Sequence, residues 1–459
     1  MLKKERLRSE RKSLFEKCIN VGSSKELLSV QELLANSIRR CERELREAGN
    51  KDALFFHIKC LRLYADGLVW LVLHSHTIRQ LAKNSGAPRS IEAQGKAFDQ
   101  VLESARRHLR MRKVPVFIAD ITNIIRIGDI IICPSHEVPI IVECKTRLPR
   151  PEHIMQGRHG RQVSRAAGTL KYLAKGSAKI FGNDIYQRAI ESPHVSERNW
   201  NSIIKICEAA LKDGWAFAQL SDYEFFWAYT RGNQDFVMDA IGHYGKQIDG
   251  GFVGSSLGLM NMSDGLFPPP VVWPIPSELR FHLMEEDIVL MHMVDARAFE
   301  YDFGNGEQIE IRPAEDYPIR VMTGGKEYPL SRRFIYDVLY GFETVKSCAQ
   351  GLIDFARQIH AGINVDTETI LPEKPVAYHI ESIKEALELV KSGINTKNAL
   401  VSMPVVLLAQ LQCKAVKSED KAREQKCISS ESVPAYAVVD VETLEKLLSK
   451  RDVAQRENS

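Results

Sequence analysis

Ile124-Ile125-Arg126-Ile127-Gly128-Asp129-Ile130-Ile131-Ile132 is separated from Pro139-Ile140-Ile141-Val142-Glu143-Cys144-Lys145-Thr146 by Cys133-Pro134-Ser135-His136-Glu137-Val138. The two runs are rich in β-branched residues, which suit a pleated surface, and the segment between them holds Pro134 and polar turn formers. They read as a hairpin of adjacent strands. On a strand the side-chain period is two, so Glu143 and Lys145 share one face while Cys144 points into the packing layer. Carboxylates at the ends of apolar strands are costly to bury without a compensating cation. Mg²⁺ is the hard cation that favours carboxylate oxygen and keeps part of its water shell. Asp129, Glu143 and Lys145 therefore form a candidate metal site.

The flanking sequence gives this hairpin a setting. Ahead of it, residues 90–110 read as an amphipathic helix with Ile91, Phe98, Leu102, Ala105 and Leu109 as the apolar stripe. Glu92, Asp99 and Glu103 fall on a neighbouring face. Behind it, Arg147, Arg150, Arg158, Arg161, Arg165, Lys171, Lys175 and Lys179 stand against a single acid, Glu152, although the whole chain carries only +3. A basic window beside paired acids is the electrostatic arrangement that a phosphodiester substrate requires. If residues 158–175 form one helix, Arg158, Arg161, Gln162 and Arg165 lie within one face.

Gly128-Asp129, followed fourteen positions after the acid by Glu143-Cys144-Lys145, resembles the motif of the PD-(D/E)xK nuclease superfamily. Gly128 stands where the motif has Pro. The resemblance covers residues of about 90–222 and implies an α/β (α+β) fold, a restriction-endonuclease-like mixed sheet flanked by helices. Its α-β-β-β-α-β core is expected to comprise the helix at 90–110, a strand at 114–119, the hairpin, the helix at 158–175 and a last strand over 215–220. A helix at 199–212 is inserted before that strand.

The resemblance also implies a function. It makes the chain a Mg²⁺-dependent nuclease, with Mn²⁺ able to substitute and DNA, cut internally, as the expected substrate. Asp129 and Glu143 bind the metal, with the Cys144 carbonyl as a further ligand and Asp99, on the first core helix, as an auxiliary one. Lys145 orients the attacking water or stabilises the developing anion, and Arg158, Arg161, Gln162 and Arg165 hold the nucleic-acid backbone. The Gln-x-x-x-Tyr signature of one exonuclease subgroup is absent, because Ala166 stands four places after Gln162. Prokaryotic defence or restriction is the setting that fold-level analogy suggests. The alternative is a nucleic-acid-binding or scaffold protein that keeps the fold without stand-alone catalysis.

A length of 459 residues predicts two or three domains. With 44% hydrophobic and 26% charged residues the composition is that of a soluble globular protein. Nine scattered cysteines without a Cys-x-x-Cys pair, and a start that does not read as an export signal, predict reduced thiols in the cytoplasm. The apolar stretch at 67–73 is far short of the roughly 20 residues of a membrane span, so no membrane partner is expected. The sequence divides into a helical N-terminal region (1–84), the nuclease-like core (85–232), an accessory mixed α/β region (233–412) and a flexible linker with a short C-terminal element (413–459). The N-terminal helices are expected to pack on the core, or to dock a protein partner or a second copy of the chain.

Overall fold

The computed structural model describes residues 2–49, 51–82, 88–134, 138–144, 197–233, 267–311, 319–330 and 338–360. Shorter described pieces lie at 166, 169–170, 173, 177–179, 186–188, 252–257, 376–379, 388, 399–404 and 435–440. The chain mixes helices with sheets and separates into two compact units, one of residues 1–189 with 369–459 and one of residues 190–368. The second unit is thus an insertion between two halves of the first. The partition expected from sequence has boundaries at residues 84, 232 and 412; here the N-terminal helices fall in one unit with the strands that follow them.

Those helices are α1 (Leu2–Ile19), α2 (Ser24–Glu44), α3 (Asp52–Val72) and α4 (Ser75–Leu81). Ser23 starts α2 by accepting from the Glu26 amide, while the Glu26 carboxylate accepts from the Gly22 amide just before the cap, so one first-turn donor and one flanking donor are satisfied. Leu27, Leu34, Ile38 and Cys41 then recur on its buried face. The middle of α3 is buried on all sides, Arg62 and Asp66 included. Both of those side chains bond backbone beyond residue 118, which makes the helices part of the sheet's own core.

The expected helix at 90–110 is two pieces, α5 (Ile91–Gln94) and α6 (Lys96–Arg112), broken where Gly95 has φ +53°. Phe98, Val101, Leu102 and Ala105 are the buried face of α6, which packs on the strands that follow. These are β1 (Val116–Ile118), β2 (Ile130–Ile132) and β3 (Ile140–Cys144). They form an antiparallel meander with Ile118 opposite Ile130 and Ile130 opposite Val142. Every residue of β1 and β2 is buried, which is why both runs are continuously apolar. Gln31 of α2 closes the free edge of β1: its amide donates to Val116 O at 2.8 Å and its carbonyl accepts from Ile118 N at 2.9 Å.

Two sequence expectations change here. Residues 124–128 are a buried loop rather than the first half of a strand. Beyond β3 the sheet continues with Ala435–Asp440, then Ala399–Pro404, then Val376–His379, the last pair parallel, giving six strands. The strand expected to complete this core, Trp215–Ser221, instead pairs with Glu224–Thr230 in the second unit. A tight hairpin to the very next strand closes a minimal loop and costs little chain entropy.

In the second unit that hairpin joins Ile288–Asp295 and Phe252–Leu257 in a four-stranded antiparallel sheet. Helix Trp200–Asp213, close to its expected position, lays Ile203, Ile206, Cys207 and Ala210 against Phe226, Ala228 and Leu290. The β-rich piece expected over 302–329 is a second antiparallel meander from Tyr301–Gly304 to Lys326–Leu330. Helix Val345–His360 packs Leu352, Ile353 and Ala356 with Ile309, Ile319 and Val321. Among the described residues no helix is long and apolar enough to cross a membrane.

Candidate metal centre

Gly128 turns the chain into β2 with φ +77°, a backbone state that proline cannot reach and that side-chain-bearing residues avoid. A Cβ there would lie 2.6 Å from Ile141 Cγ2 and 3.2 Å from Val142 O. Glycine is therefore required where the motif has proline. The turn brings the Asp129 amide to Val142 O at 2.8 Å, while the Asp129 carbonyl accepts from Ala119 N at 2.9 Å.

The β2–β3 ladder ends at Ile130 opposite Val142, and Asp129, just before it, bonds the backbone on both sides of Glu143, at Val142 O and at the Cys144 amide. Asp129 Oδ2 accepts from the Cys144 amide at 2.6 Å, so this carboxylate also ties the two strands together. Glu143 is 6% exposed. Asp129 and Glu143 thus both stand at the end of the β2–β3 pair.

A third acid stands close by. Asp120 follows β1 in a 3-10 turn over Ala119–Ile121, and Arg62 Nη1 donates to its carbonyl at 2.6 Å. Burial pushes the Asp120 carboxyl above its ordinary range; the charge of Glu143 adds to the rise, while Gln94, Arg89 and Arg62 oppose it. Gln94 is near enough to act on Asp120, yet among the described residues buried Asp120 Oδ2 and Gln94 Nε2 have no hydrogen-bond partner of proper geometry. Sequence reading did not select Asp120. The available signal was its position just past β1, since an antiparallel meander carries the end of one strand to the start of the next.

The auxiliary acid expected on the first core helix goes elsewhere. Asp99 is 53% exposed and pairs with Arg39 at 2.7 Å; Glu92 binds Arg39 and Arg43, and Glu103 binds Arg110. The acidic face of α5 and α6 is matched to arginines, most of them on α2, which explains those acids without a metal. Lys145, Arg158, Arg161, Gln162 and Arg165 lie outside the described residues, and Cys144 contributes its amide. Among the described residues no three acidic, histidine or cysteine side chains cluster as a ready-made cation site. The donors at hand are the Asp129 and Glu143 carboxylates, whose hard oxygens suit Mg²⁺ or Mn²⁺.

The chain matches no family model, no curated protein and no solved structure.

Proposed function

We propose that the protein is a Mg²⁺-dependent phosphodiesterase, a nuclease acting on DNA from a restriction-endonuclease-like core. The observation that carries this reading is that Asp129 bonds the backbone on both sides of Glu143, at Val142 O and at the Cys144 amide, from a turn at Gly128. An order of helix, three-stranded meander and basic window supports it.

In this reading Asp129 and Glu143 hold the metal, with the Cys144 carbonyl as a further ligand. Bound Mg²⁺ supplies charge neutralisation at the phosphoryl oxygens and a ligated water of lowered pKa. Lys145, two residues after Glu143 in the sequence, orients the attacking water or stabilises the developing anion. Arg158, Arg161, Arg165 and Gln162 contact phosphates, which positions the substrate without reading its bases. The cytoplasm is the compartment in which its free thiols persist.

Calorimetric titration of the wild type and Glu143→Ala with Mn²⁺ tests this. A single wild-type site that the substitution removes is the expected result. Equal uptake by both proteins, or none by either, would leave the scaffold reading in its place.

A further inference from the structure

We infer that Asp66, on α3, is a positioning residue for the candidate metal centre, holding the buried loop that delivers Asp129. This rests on the nuclease reading above and adds to it a residue far outside the motif.

The loop at 122–128 lacks the ladder bonds of a strand, so its buried amides need other acceptors. Asp66 Oδ1 accepts from Asn123 N at 2.7 Å and from Ile124 N at 3.3 Å, and Oδ2 accepts from Asn123 Nδ2 at 2.7 Å. Ile125 N donates to Thr122 Oγ1 at 3.0 Å and Arg126 N to Leu81 O at 3.0 Å. Four consecutive amides are thereby satisfied, two of them by one carboxylate. Arg62, one helical turn before Asp66, takes the carbonyls of Asp120 and Arg89 and pairs with Glu42. One face of α3 therefore grips carbonyls with a guanidinium and amides with a carboxylate.

Asp66 is 1% exposed. A fully buried acid is an expensive way to fill space, and a side chain of similar volume without charge would pack at lower cost. What the carboxylate adds is a fixed path for residues 123 and 124. From there the chain runs through Ile125 and Ile127, both buried, to Gly128 and Asp129.

The test compares the full-length wild type with Asp66→Ala and Asp66→Asn, reading amide hydrogen exchange over 122–128 and calorimetric Mn²⁺ affinity. In Asp66→Ala, loop exchange should accelerate roughly tenfold or more, the scale of unmaking such bonds, and Mn²⁺ affinity should fall at least about tenfold with it. Asp66→Asn keeps an oxygen for both amides and should restore both readouts to within about threefold. If Asp66→Ala does not fold, Asn123→Ala removes one bond of the three and should move both readouts the same way by less. Unchanged loop exchange overturns the inference, as does faster exchange with unaltered affinity or a failure of Asp66→Asn to rescue. A wild type that takes up no Mn²⁺ overturns the metal-centre reading and, with it, any role for Asp66 in positioning that centre; the exchange data then report loop anchoring alone.

Discussion

The Cys144 amide donates to the Asp129 carboxylate at 2.6 Å, linking the residue before β2 to the last residue of β3. One side chain thus has two separable duties, an acceptor for a strand amide and a candidate metal ligand. Asparagine can serve the first but carries no charge for the second. Asp129→Asn should change stability by about 1 kcal/mol or less, whereas Asp129→Ala, which strands the amide, should cost roughly 2–3 kcal/mol. Both should lose Mn²⁺ binding. Urea denaturation beside calorimetry checks this, and Asp129→Asn retaining full affinity would contradict the assignment.

Gly128 makes that bond geometrically possible. Gly128→Ala meets both an unfavourable φ and a contact with Ile141 and Val142, so a loss of about 1–3 kcal/mol is expected. Gly49→Ala, with ordinary φ and open space around the added carbon, is the control and should be near neutral. Denaturant midpoints that shift equally for the two substitutions would argue against the crowded turn.

The sheet edge depends on one amide side chain. Gln31→Leu removes both partners of β1 and leaves Val116 O and Ile118 N buried and unpaired. A destabilisation of roughly 2 kcal/mol or more follows. Equilibrium unfolding measures it, with a near-neutral outcome pointing to another cover for that edge.

Stability should also fall toward acid pH. Burial holds the imidazole of His108 at about 3 and that of His57 at about 4, against an ordinary 6.5. Between those limits the unfolded chain binds protons that the native one refuses, so this stabilisation is complete above 6.5 and is lost as pH drops. Asp66 runs the other way. Its carboxyl is pushed up to about 7 by burial, so its contribution is greatest below 3.8 and declines as pH rises through 7. Among the described residues, neither ring nitrogen of His108 has a hydrogen-bond partner. His108→Leu should therefore flatten the acid limb of a stability–pH profile between about 4 and 6.5, while an unchanged slope would rule out this histidine as its source.

The meander was legible because β1, β2 and β3 are short, apolar and buried on both faces, a pattern visible one residue at a time. The same pattern misled at Ile124, Ile125 and Ile127. These residues are as buried as a strand, but the amides of Ile124, Ile125 and Arg126 go to Asp66, Thr122 and Leu81, and the acceptors on α3 and α4 leave no local trace in the sequence. Position on the first core helix makes Asp99 a candidate ligand, whereas Arg39 of α2 holds its carboxylate at 2.7 Å. The neighbour of β3 comes from residues 435–440, beyond an inserted unit of 190–368, and periodicity carries no information about such pairing. Gly128, read as a departure from the motif, is the residue that a turn with φ +77° demands.

The most direct test of the central claim is cleavage itself. Circular and linear DNA and RNA are incubated with wild type and with Lys145→Ala, in Mg²⁺ and in chelator. The wild type should cut circular DNA in Mg²⁺, with cutting abolished by chelator and reduced at least about a hundredfold by the substitution, the scale of losing one group that stabilises developing charge. Identical behaviour of the two proteins on every substrate, with or without metal, would contradict it.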